Sequence, residues 1–185
     1  MTTISKLINA NQELMTLLQI IKGLDLPDAW LCAGTLRNFI WNQLSNKAQA
    51  LTTDVDLVFY DPHLSYQETV ELEKEIKIKF PQYDWEVKNE VYMHIHTPNA
   101  QPYQSARDAI SKFPEKCTAI AARLNPDNQL DLFLPYGEND ILAFKVNPTP
   151  FYQGDPERHK IYNQRMLKKN WNEIWSQLEI NYFSE

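Results

Sequence analysis

Thr53-Asp54-Val55-Asp56-Leu57-Val58-Phe59 sets acids among aliphatic residues and runs into the turn signal Asp61-Pro62. This pattern predicts a β-strand over residues Asp54 to Tyr60. Side chains two apart on a strand share a face, so Asp54 and Asp56 should project together while Val55, Leu57 and Phe59 pack on the other side. Two carboxylates on one face repel. Holding both ionised becomes favourable when a divalent cation that prefers hard oxygen ligands, magnesium or manganese, lies between them. The same pattern also suits a half-buried strand whose acidic face is solvated, so the pair needs support from elsewhere in the chain.

That support lies upstream. Ala29-Trp30-Leu31-Cys32-Ala33 is a short apolar run bounded by turn residues and reads as a buried strand ending at Gly34. From Thr35 to about Leu44, the residues Leu36, Phe39, Ile40 and Leu44 recur at helical spacing, with Thr35, Asn38 and Asn42 on the polar side. Glycine at a strand end lets backbone approach a ligand, and free amides at the following helix N-terminus attract phosphate. Gly34, Thr35, Arg37 and Asn38 are therefore candidate nucleotide-binding residues. An ordinary turn glycine followed by Thr35 as helix cap is the plainer reading of the same residues.

Working outward, Ile4 to Ile21 predicts one amphipathic helix, ended by Gly23 and Pro27. Ser65 to Phe80 predicts a charged helix stopped by Pro81, and Tyr83 to Val87 a strand that Val91 to His96 continues. Ser105 to Lys112 reads as helix, Ala119 to Leu124 and Leu130 to Leu134 as a hairpin about Pro126-Asp127-Asn128, and Asp155 to Leu178 as a helical tail. Alternation of this kind predicts an α/β or α+β fold, a mixed sheet flanked by helices. A length of 185 residues fits a single domain, with a core at about 28–150 and a tail at about 155–180.

Composition limits the partners. With 43% hydrophobic and 23% charged residues the chain matches an ordinary globular protein. A net charge of −6 argues against extended nucleic-acid binding, which draws its affinity from Lys and Arg on phosphates, and leaves open local basic patches such as one around Arg165, Lys168 and Lys169. The N-terminal stretch carries Asn9, Asn11, Gln12 and Glu13 among its apolar residues, and no window approaches a membrane span, so a cytoplasmic location with no membrane partner is expected. Cys32 and Cys117 are too few for a disulfide framework or zinc cluster and are expected to be buried free thiols. No Gly-x-Ser-x-Gly nucleophile motif and no Walker loop is present.

Taken together, a small turn after a first strand, a following helix and Asp-x-Asp on the next strand resemble the nucleotidyltransferase fold shared by DNA polymerase beta and the minimal nucleotidyltransferases. A bacterial family of nucleotidyltransferase-like proteins resembles the chain more closely. Its pattern is met here by Gly34-Thr35-Leu36-Arg37-Asn38, Asp54-Val55-Asp56, Trp85-Glu86-Val87-Lys88-Asn89, Met93-His94 and Pro135-Tyr136-Gly137. Thr35 stands where the wider superfamily has Gly or Ser, and the spacing from Gly34 to Asp54 is longer than in the minimal enzymes.

The resemblance implies a magnesium- or manganese-dependent transfer of a nucleoside monophosphate from a nucleoside triphosphate to an acceptor hydroxyl, with pyrophosphate leaving. It also implies a third carboxylate beside Asp54 and Asp56 as catalytic metal ligand. Glu86 is the first candidate, because alternation puts Asp84 and Glu86 on one face and Trp85 and Val87 on the other; Asp131 is the competitor. Arg37 is expected near the phosphates, where its planar fork binds oxygens bidentately, or else in a surface ion pair. Asn38 and Asn89 either orient ligand groups or cap backbone. His94 and His96 would share a strand face without enough partners for zinc, and Trp171 and Trp175, four apart, would pack the tail onto the core. Two further readings stay open. One is a non-catalytic nucleotide- or metal-binding protein of the same fold, and the other is an interaction module with an aromatic surface.

Overall fold

The computed structural model describes residues 2–47 and 54–184, so Thr53 lies outside the described residues. Two helices, α1 (Thr3–Asn9) and α2 (Gln12–Gly23), precede strand β1 (Trp30–Cys32), helix α3 (Ala33–Leu44), strand β2 (Val55–Phe59), helix α4 (Tyr66–Lys79) and strand β3 (Trp85–Asn89). A 3-10 turn (Met93–His96) leads to α5 (Ala106–Ser111), the hairpin β4 (Ala121–Leu124) and β5 (Leu130–Phe133), then α6 (Asn139–Leu142), β6 (Lys145–Val146) and α7 (Pro150–Gln153). The chain closes with α8 (Pro156–Lys169), α9 (Trp171–Ile174) and β7 (Glu179–Ile180).

The main sheet has the order β3-β2-β1-β4-β5. Strands β2 and β3 run parallel, and the remaining pairs are antiparallel, which makes the sheet mixed, as expected. The parallel pair needs a crossover, supplied by α4. Ser65 caps that helix in a reciprocal box with Glu68, fixing where it starts.

Alternation along the strands divides the core. Leu31, Val55, Leu57, Phe59, Trp85 and Val87 face helices α1 to α4 and are buried with Leu14, Leu17, Leu36 and Ile40. Trp30, Cys32, Val58 and Ala121 face the other way, against Ala106 and Ile110 of α5. With only six residues, α5 covers part of that second face. The cleft described below opens on the same face.

Three sequence expectations need correction. The opening segment is two helices rather than one, because Asn11 takes extended geometry and its side chain accepts from Leu14 N at 2.9 Å, starting a new helix. Val91 to His96 is not a strand. The Asn89 carboxamide accepts from Asp61 N and Val91 N and donates to Asp61 O, turning the chain into the 3-10 segment, so His94 and His96 do not share a strand face. The tail breaks at Asn170, which takes a left-handed φ of 48°. That break turns Trp171 and Trp175 onto Trp41, with ring centroids 5.8 and 5.0 Å away. Trp175 also donates its indole N–H to Asn42 at 3.1 Å. Among the described residues, no helix is long and apolar enough to cross a membrane.

Candidate active site

Strand β1 pairs with β2 through Trp30 to Val58 and Leu31 to Leu57. Cys32 still pairs with Ala121 of β4, and the chain leaves the sheet at Ala33, which takes the left-handed φ of 49°. The sequence points to Gly34 for this turn, but the strained position is the residue before it. Helix α3 then places Thr35 where the β1 backbone would have continued. Its hydroxyl donates to Asp54 O at 2.9 Å and accepts from Asp56 N at 2.8 Å. One buried hydroxyl thus replaces two backbone partners and fixes the start of β2.

Gly34 has a different task. A Cβ at this position would lie 2.9 Å from Asp56 Oδ2, so the missing side chain makes room for that carboxylate. Thr35 N donates to the same oxygen at 3.2 Å, and a backbone hydrogen bond from Gly34 acts on Asp56 as well. Asp56 is thus an anion already placed at this helix N-terminus, for the reason that attracts anions to such ends generally.

In the parallel pair Asp56 is opposite Glu86. Both side chains line a cleft of about 400 Å³ on the α5 face, together with Lys88, Glu90, His96, Lys112 and Arg165. Tyr103, Phe113 and Tyr152 supply aromatic wall. Burial, with the Glu86 charge added to it, pushes the Asp56 carboxyl up to about 6, against the pull of the Thr35 amide and Arg37. Glu86 is exposed and pairs with Lys88 at 3.5 Å. Asp54, one residue before β2, is exposed and absent from the cleft lining. Among the described residues no three His, Cys, Asp or Glu side chains are grouped closely enough to hold a metal ion, so Asp54, Asp56 and Glu86 do not form a closed ligand set.

Other candidates fall elsewhere. Arg37 is only 5% exposed and lies outside the cleft. Its Nη1 donates to Thr118 Oγ1 at 2.9 Å, its Nη2 donates to Asn38 Oδ1 at 2.8 Å, and its guanidinium sits 4.1 Å from the Trp171 ring centroid. It is neither a surface ion pair nor a cleft cation, and burial lowers its pKa. Asn89 caps the turn after β3, as the backbone reading proposed. Asp131 lies on β5, separated from β2 by β1 and β4, and pairs with Arg123 at 3.0 Å and Arg107 at 3.3 Å. Cys32 and Cys117 are buried free thiols.

Sequence reasoning missed Glu90, Lys112 and Tyr152, and named Arg165 only as part of a local basic patch. For Glu90 a signal was present: Glu86, Lys88 and Glu90 continue one alternation. Glu90 is 3% exposed, and burial pushes its carboxyl up to about 8 although Lys88 pulls it down. For Arg165 the basic patch gave no link to the cleft, because helix α8 reaches it only through tertiary packing.

The donor chemistry suits a magnesium-type ion. Such ions are held by one or two carboxylates plus waters and substrate phosphates, not by an all-protein cage, and paired Asp56 and Glu86 offer that number of hard oxygen donors. Comparison with known proteins agrees with the architecture. A family model described as nucleotidyltransferase matches residues 19–180. A solved structure described as revealing a CCA-adding enzyme head domain is 47% identical, with a TM-score of 0.91, covering 97% of this chain and 95% of that one. A second, a CCA-adding enzyme in complex with ATP, shares the fold at 15% identity and a TM-score of 0.50, covering 86% of this chain but 40% of that one. No curated protein gives a significant match. The family match over most of the chain and the high identity to a solved relative agree on one assignment: this chain belongs to the nucleotidyltransferase family.

Proposed function

We propose that the protein transfers a nucleoside monophosphate from a nucleoside triphosphate to an acceptor hydroxyl, with magnesium or manganese held by Asp56 and Glu86. The observation that carries this reading is the register of β2 and β3, which sets the two acids side by side at a cleft that also contains cations. A bound divalent ion would supply charge neutralisation and activation of the acceptor oxygen. The chain's own residues do the rest. The Gly34 and Thr35 amides orient Asp56, and the Thr35 hydroxyl holds its strand. Tyr103, Phe113 and Tyr152 offer apolar surface to a base. Asp54, just before β2, is proposed to join as a ligand only with substrate present, being exposed otherwise.

The 47% identical relative is described as a CCA-adding enzyme head domain, so CTP and ATP are the first donors to test and a nucleic-acid 3′ hydroxyl the first acceptor. Engagement of an RNA end is compatible with a net charge of −6, because it needs few phosphate contacts. We place the protein in the cytoplasm, in keeping with its two free thiols.

The test is to incubate the protein with magnesium, each α-labelled triphosphate and a panel of RNA ends and small hydroxyl compounds. Label transfer with stoichiometric pyrophosphate release is expected, and it should disappear in Asp56→Asn. Triphosphate binding without pyrophosphate release on any acceptor would favour the non-catalytic binding protein instead.

A further inference from the structure

Glu115 is fully buried, at 0% exposure, and accepts from Arg165 Nε at 2.5 Å. Its other oxygen has no hydrogen-bond partner among the described residues. A buried carboxylate is costly unless paired, so this ion pair fixes Arg165 firmly. Trp171 packs near both the Arg37 and the Arg165 guanidiniums. Its ring lies 4.1 Å from the Arg37 guanidinium and 5.9 Å from that of Arg165. Arg37 is sealed, while the Arg165 side chain is 31% exposed and lines the cleft that holds Asp56 and Glu86.

The cleft lysines are paired as well. Lys88 pairs with Glu86 at 3.5 Å, and Lys112 with Asp108 at 2.8 Å. The Arg165 side chain bonds Glu115 through Nε and has no other hydrogen bond among the described residues, so both terminal nitrogens of its fork remain to meet oxygens. We infer that Arg165, presented by α8 and anchored on Glu115, is the triphosphate-binding arginine of the cleft, the role the sequence suggested for Arg37. This inference rests on the nucleotidyl-transfer reading. It adds that helix α8 builds part of the nucleotide site, with phosphate bound at the α8 side and the carboxylates on the β2 and β3 side.

Calorimetry in magnesium buffer tests it, with ATP, inorganic tripolyphosphate and a short single-stranded RNA as probes. Removing Arg165 alone would strand the Glu115 charge, so the principal variant is the pair Arg165→Gln with Glu115→Gln, alongside Arg165→Lys. The double variant should keep its thermal midpoint but lose at least tenfold in affinity for both ATP and tripolyphosphate. Arg165→Lys, which keeps the charge and loses the fork, should fall between. If the double variant binds ATP within twofold of the natural protein, Arg165 is structural and the inference fails while the proposed function stands. A loss confined to RNA would assign the arginine to the acceptor backbone and overturn the triphosphate role. If the natural protein binds neither ATP nor tripolyphosphate, both readings fall together.

Discussion

Gly34 and Asp56 fit together so closely that a Cβ on Gly34 would lie 2.9 Å from Asp56 Oδ2. Alanine at this position therefore displaces the carboxylate while leaving the backbone comfortable, since Ala is favoured over Gly in a helix by about 1 kcal/mol. Gly34→Ala should shift stability by less than about 1 kcal/mol yet reduce magnesium-dependent triphosphate affinity at least tenfold. Thermal melts and calorimetry on the one variant measure both, and a variant with unchanged affinity would show that Asp56 need not hold this position.

Thr35 offers a sharper structural test. Its hydroxyl serves Asp54 O and Asp56 N together, and the residue is fully buried. Thr35→Val keeps the shape and leaves both backbone groups unsatisfied, so it should cost about 2–4 kcal/mol in a urea titration. Thr35→Ser keeps both bonds and should cost less than about 1 kcal/mol.

Asp56→Asn should separate stability from chemistry. The folded pKa of Asp56 is raised to about 6 from 3.8, so the stability it contributes is fully present below the unfolded value and lost as pH rises through the folded one. At pH 7.5 the natural protein carries the cost of an ionised, half-buried acid, and replacement by Asn should stabilise the metal-free protein by about 1–3 kcal/mol. Nucleotidyl transfer and any thermal gain from magnesium should vanish in the same variant. A fall in stability at pH 7.5 would contradict the electrostatic account.

Glu90 extends the argument to higher pH. Its folded pKa, about 8, also exceeds its usual 4.5, so its contribution is full below pH 4.5 and disappears by the time pH passes 8. The thermal midpoint of the natural protein should decline between pH 5 and 8, with a slope of up to about 1.4 kcal/mol per pH unit from this group. Glu90→Gln should flatten that slope, and parallel profiles for the two proteins would exclude the assignment.

Asp131→Asn is the contrasting case. Asp131 is committed to Arg107 and Arg123 at the β5 edge of the sheet, where part-exposed ion pairs contribute about 1 kcal/mol or less. Transfer activity within twofold of the natural protein is expected, and a collapse would place Asp131 in the site after all.

Much of the fold was legible because local chemistry repeats along the chain. The Asp54 to Tyr60 alternation, the apolar run at Trp30-Leu31-Cys32 and the helical spacing through Leu36, Phe39 and Ile40 each dictate an element through burial of one face. Asn11 and Asn170 escaped notice because a single capping or left-handed residue ends a helix without disturbing its apolar period. At Val91 to His96 the apolar pattern suited a strand, but the hydrogen bonds of Asn89 turned the backbone first.

By itself, the sequence determined the face that Asp56 and Glu86 occupy on their strands, because the two-residue period of a strand is a property of the backbone. It also placed a glycine and a hydroxyl one residue apart at the start of α3. Only the tertiary structure decided that β2 and β3 pair with Asp56 opposite Glu86, that the Thr35 amide donates to Asp56, and that Trp171 seals Arg37 while Arg165 reaches the cleft. The physical reason is distance along the chain: Glu115, Arg165 and Trp171 meet Asp56 and Arg37 through packing between segments far apart in sequence, and no local period encodes which buried charge is paired and which is left facing solvent.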